Sequence, residues 1–141
     1  MPAAETTTIL VGYTPTPQGT AALAAATERA LRRGEHLAVL NTGNAGNYDD
    51  PAFASEHDID AVVAELTRRG VSHTILRPND DLSPAESLLD HAARLDASLV
   101  VIGMRRRSPV GKLLTGSTAQ HILLDAECAV LAVKPARAPA P

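Results

Sequence analysis

Ser98-Leu99-Val100-Val101-Ile102-Gly103 is apolar on both faces of an extended chain. A strand of that kind can bury both faces only when helices cover the sheet on each side, which is the mark of a central parallel strand. On its N-terminal side, Ser83-Pro84-Ala85-Glu86 forms a capping box with proline at the first helical position, so a helix is predicted from there to about residue 96. On its C-terminal side lies a glycine- and arginine-rich loop. A short amphipathic helix then begins at Ser117 and carries Ala119, Ile122 and Leu123, and residues 129–134 read as a further strand.

The first half of the chain repeats the alternation. Thr8-Ile9-Leu10-Val11-Gly12-Tyr13 is β-branched and apolar, and it stops where Thr14-Pro15-Thr16-Pro17 must turn the chain. Thr16 before Pro17 predicts an N-cap, and Leu23, Ala26 and Ala30 then recur on one helical face until Gly34. Residues 37–40 read as the second strand, and residues 42–51 as a surface loop of turn-forming types. Ile59, Val62, Val63 and Leu66 lie at helical spacing behind Ser55, with Gly70 closing the helix. Residues 71–77 form a weaker strand, polar at Ser72, His73 and Thr74.

Five strands alternating with four helices demand a doubly wound α/β domain, a five-stranded parallel sheet with right-handed crossovers. A ligand crevice is expected beyond the carboxyl ends of the strands where the winding reverses, which directs attention to the loops after Tyr13, Asn41, Arg77 and Gly103. The expected division is an N-terminal extension over residues 1–6, one domain over 7–134, and a flexible Pro/Ala tail over 135–141.

Composition narrows the functions. At 141 residues the chain suits one domain, and 45% hydrophobic with 21% charged residues is ordinary for a globular protein. Aromatics are only 2%, so bases of a nucleic acid have almost nothing to stack on, and a net charge of −3 offers no general attraction to DNA or an acidic membrane. Cys128 is the single cysteine, which rules out an intramolecular disulfide and reads as a small buried hydrophobe. The first residues carry no basic region, and no apolar run approaches the roughly 18 residues of a membrane span, so a cytoplasmic protein is expected. His36, His57, His73, His91 and His121 lack metal-ligand spacing, and Ser117 sits outside a nucleophile elbow. Asp49-Asp50 and Asp80-Asp81 read as turn-forming charges, with Mg²⁺ beside a nucleotide as the alternative.

The segment from Gly103 to Thr118 holds three glycines, four cations (Arg105, Arg106, Arg107 and Lys112) and a helix start. Gly103 would let a phosphate approach the backbone, and Gly116-Ser117-Thr118 would offer amides, hydroxyls and the positive end of a helix dipole. Read locally, the same glycines could simply turn the chain, with the arginines forming a solvated cluster.

Gly103, two residues, position 106, nine residues, then Gly116-Ser117 resembles the Gly-x2-Gly-x9-Gly-Ser/Thr signature of the universal stress protein family. The resemblance extends from Thr7 to Lys134. It implies an adenine-nucleotide alpha hydrolase-like sheet of order 3-2-1-4-5, a stress-response sensor or regulator rather than an enzyme, and ATP or another adenine nucleotide as ligand. Phosphates and ribose would then lie at Gly103, Gly116, Ser117 and Thr118, and the base near Gly12, Tyr13 and Thr42. Thr14, Ile102 and Arg106 complete the implied set. A homodimer through the last strand is implied as well.

Two positions depart from the pattern. Arg106 stands where the signature has its middle glycine, and Thr14 stands where nucleotide-binding members usually have Asp. Arg106 either obstructs the phosphate or pairs with it, and in the first case the protein is a dimeric interaction module without nucleotide.

Overall fold

The computed structural model describes residues 6–42, 54–78, 81–105 and 117–135. Nine elements alternate: β1 (Thr8–Tyr13), α1 (Pro17–Arg33), β2 (His36–Asn41), α2 (Glu56–Arg68), β3 (His73–Leu76), α3 (Pro84–Arg94), β4 (Leu99–Gly103), α4 (Ser117–Asp125) and β5 (Ala129–Val133). All pairs are parallel and the order is β3-β2-β1-β4-β5, as expected.

Local chemistry sets the helix ends. Thr16 caps α1 by accepting from the Gly19 amide at 3.1 Å, and Gly34 ends it in the left-handed region at φ 64°. Ser55 with Asp58 and Ser83 with Glu86 form reciprocal capping boxes at α2 and α3. Gly70 follows α2 at φ 73°. β3 is shorter than residues 71–77: Val71 belongs to the turn after α2, its amide donating to Leu66 O, while Ser72 O already accepts from Leu37 N of β2.

Strand alternation divides the core in two. Ile9, Val11 and Tyr13 of β1 face α1 and α2, packing with Ala22, Ala26, Ala30, Val62 and Leu66. Leu10 faces the other way, with Leu88 of α3, Ala119 and Ile122 of α4, and Val100 and Ile102 of β4. Both faces of β4 are therefore covered, which is why its sequence shows no polar alternation. Cys128 packs half-buried against this second cluster, and burial pushes its thiol up, so it stays a protonated hydrophobe.

Buried polar groups pin the sheet at both ends. Asn41, at the end of β2, donates to Ala54 O at 2.8 Å and accepts from Ala54 N at 3.2 Å, which fixes where the chain returns before α2. At the opposite end Glu35 receives the Thr7 hydroxyl and the Ser98 hydroxyl, the latter at 3.3 Å, and lies 3.0 Å from Arg33 Nε.

Asn41→Ala strands two buried backbone groups and is expected to cost about 1–3 kcal/mol, read as a lower urea midpoint at unchanged m-value. Burial, then the Asp58 carboxylate, raise the Tyr13 phenol above its ordinary value. The folded state therefore holds this proton to higher pH than the unfolded chain. Its contribution is intact below about pH 10 and is lost as pH rises beyond that value. Tyr13→Phe should make the alkaline fall in stability shallower, measured by urea titrations across that range.

Candidate functional site

The winding reverses between β1 and β4, and a cavity of about 340 Å³ opens at their carboxyl ends. Its floor is Gly12 of β1 with Ile102 and Gly103 of β4. Leu88, Ala119 and Ile122 supply an apolar wall from α3 and α4, whereas Thr14, Gln18, Gly19, Thr42 and Thr118 supply the polar one. Met104 and Arg105 stand where the chain leaves β4.

Each polar group is held by its own element. Thr14 and Thr16 share a hydroxyl–hydroxyl bond of 2.7 Å, which ties Thr14 to the α1 cap. Thr42 donates to Tyr13 O through its amide at 2.9 Å and its hydroxyl at 3.2 Å, joining the loops after β1 and β2. Thr118 is half-buried in the first turn of α4.

The residues proposed from sequence meet here in part. Gly12, Thr14, Thr42, Ile102, Gly103 and Thr118 all line the cavity. Tyr13 does not: strand alternation sends its side chain to the α1/α2 face, where it packs beside Ala54 and Val62, and only its carbonyl reaches toward Thr42. Ser117 is the first residue of α4, while Arg106 and Gly116 lie outside the described residues.

Two glycines have a packing role that local pattern concealed. A Cβ on Gly103 would collide with the Gln18 carbonyl, so this glycine admits the first turn of α1 against the end of β4. Gly19, which sequence reading passed over, lies so close to the Thr14 backbone that any side chain would displace it. Its signal was a glycine in the first helical turn, where propensity alone would disfavour it. Gly12 is looser, with the Thr42 methyl 3.1 Å from a built Cβ. Gly103→Ala should therefore destabilise by about 1–3 kcal/mol, whereas Gly12→Ala should cost less because a threonine side chain can shift. Paired urea denaturation curves check the order.

Residues 5–134 match the universal stress protein family. A universal stress protein of Mycolicibacterium smegmatis is 43% identical over 127 residues, covering 90% of this chain and 97% of that protein. Among solved structures, a universal stress protein from Archaeoglobus fulgidus superposes with a TM-score of 0.72 at 25% identity, covering 93% of this chain and 100% of that one. A universal stress protein structure from the same organism, in complex with dAMP, shares the fold with a TM-score of 0.63 at 18% identity, over 92% and 98% of the two chains. With a family match over nearly the whole length and a close relative aligned almost end to end, this chain belongs to the universal stress protein family.

Proposed function

We propose that the cavity at the ends of β1 and β4 binds an adenine nucleotide, and that the protein is a cytoplasmic, nucleotide-responsive regulator rather than an enzyme. The observation that carries this reading is the cavity's position. It lies at the reversal of winding, where doubly wound sheets take ligands, and the first turns of α1 and α4 both contribute to it. The neighbour in complex with dAMP, which has the same fold, supports the ligand class. The described lining offers the hydroxyls of Thr14, Thr42 and Thr118 but no carboxylate or imidazole to act as a general base, which favours binding over turnover. Among the described residues no helix is long and apolar enough to cross a membrane.

The outer edge of β5 supports a second copy of this chain as partner. Among the described residues β5 pairs only with β4 and no other strand lies on its outer edge, with Leu131 42% exposed and Leu124 of the adjoining α4 75% exposed.

Protein purified without added nucleotide, then denatured, is expected to release an adenine nucleotide. Titration of the stripped protein with ATP, AMP and cyclic AMP should give saturable heat with at least one of them. Arg106→Gly separates the two roles of that side chain: tighter binding means that Arg106 obstructs the phosphate, weaker binding that it holds it. Absence of bound metabolite and of heat in both proteins sinks the nucleotide reading and leaves the interaction module. Leu131→Lys should convert a dimer to a monomer in sedimentation velocity; an unchanged sedimentation coefficient contradicts pairing through β5.

A further inference from the structure

Away from the cavity, at the amino ends of the strands, one histidine is held by two hydroxyls. His36 opens β2, Ser72 immediately precedes β3, and Thr74 lies within it. Side chains alternate along a strand, so Ser72 and Thr74 share one face of the sheet, and His36 joins them there because its neighbour Leu37 packs on the other. The imidazole spans the two strands: Nδ1 lies 2.6 Å from Ser72 Oγ and Nε2 lies 2.8 Å from Thr74 Oγ1. Ser72 and Thr74 are exposed, and His36 is half-buried.

These partners set His36 apart from other described histidines. His73 and His91 donate to the carbonyls of Val71 and Arg77 at 2.8 and 3.2 Å, and His121 faces the Asp125 carboxylate at 2.9 Å. Carbonyls and carboxylates have no proton to yield, whereas a serine hydroxyl has one. A neutral imidazole carries one N–H and one bare nitrogen. With Nε2–H donating to Thr74 Oγ1, Nδ1 accepts from the Ser72 hydroxyl. The three groups then have the arrangement that activates a hydroxyl: a nucleophile, a base within hydrogen-bond reach, and a third group that fixes the base. The other tautomer would activate Thr74, but that hydroxyl is a secondary alcohol crowded by its own methyl group, and its contact with the ring is the longer one. None of the three residues lines the cavity, which lies at the opposite ends of the strands. Chemistry at Ser72 is therefore that of an exposed acceptor and not of a substrate pocket.

We propose that Ser72 is a covalent modification site, acylated by activated acyl donors such as acyl phosphates, with His36 as the base and Thr74 as the residue that positions the ring. Ser72 Oγ forms a bond to the acyl carbon, the bond from that carbon to the leaving oxygen breaks, and the leaving group departs with the electron pair. The hydroxyl proton passes to His36 Nδ1. The resulting imidazolium keeps its Nε2–H on Thr74 Oγ1 until it returns a proton to water. The proposal is independent of the nucleotide reading.

The test adds p-nitrophenyl acetate to the full chain, which releases p-nitrophenolate on acyl transfer, and reads acid-quenched samples by tandem mass spectrometry. Ser72 is expected to gain the acetyl group about a hundredfold faster than Ser55 and Ser83, which are also exposed. His36→Gln should slow Ser72 by a similar factor while leaving acetylation of the exposed Lys134 unchanged. Thr74→Val should slow it too, and Thr74→Ser should restore it, a rescue that packing alone would not produce. Acetyl on Thr74 in place of Ser72 reverses the roles and overturns the proposal. A Ser72 rate equal to those of Ser55 and Ser83 also overturns it, and that comparison within the unaltered chain stands even where a variant fails to fold. A Ser72 rate unmoved by His36→Gln removes the base, leaving the cluster as a clasp between β2 and β3.

Discussion

The Gln18 carbonyl occupies the space that a side chain at position 103 would fill, and this contact sets how closely α1 approaches the centre of the sheet. A helix can lie that near two strands only if its buried face is small. Ala22, Ala26 and Ala30 meet that condition, and they are fully or almost fully buried against Ile9, Val11 and Val101. Gly19 extends the same close fit to the loop after β1, where Thr14 is tied back to the α1 cap. The cavity is a consequence of this packing. Gly12 places no side chain over the end of β1, and the cavity lies beside it, lined by the first turns of α1 and α4.

A second constraint works from the far end of the sheet. Glu35 is buried at the start of β2 and gathers hydroxyls from Thr7, before β1, and Ser98, before β4, with Arg33 and Arg29 of α1 at 3.0 and 3.6 Å. A carboxylate taken out of water needs such partners, and removing them would leave an uncompensated buried charge. Polar contacts thus tie β1, β4 and α1 together at the amino ends of the strands. The cavity lined by the described residues lies at the opposite, carboxyl ends.

Much of the fold was legible because its signals are local. Thr16-Pro17, Ser55 with Asp58, and Ser83 with Glu86 satisfy backbone amides within three residues of themselves, so their sequence neighbours were enough to place the helix starts. The site was legible only where a residue contributes backbone or a short side chain at a strand end, as Gly12, Thr14, Thr42, Ile102, Gly103 and Thr118 do. Tyr13 was harder to read, since its place in the loop sequence suggests the crevice while its place in the pleat sends it to the opposite face. The role of Glu35 in tying the strands together was not legible, because the hydroxyls it receives come from residues 28 and 63 positions away.

By itself, the order of residues determined the nine elements, their parallel arrangement and the chemistry of the connection after β4, for these follow from periodicity, capping and charge within short windows. Tertiary structure alone decided that Gly103 and Gly19 serve the seating of α1, that Tyr13 turns away from the cavity, and that the first turns of α1 and α4 converge on it. Those outcomes depend on which surfaces meet across the sheet, and contacts between segments distant along the chain leave no pattern in the neighbourhood of any one of them.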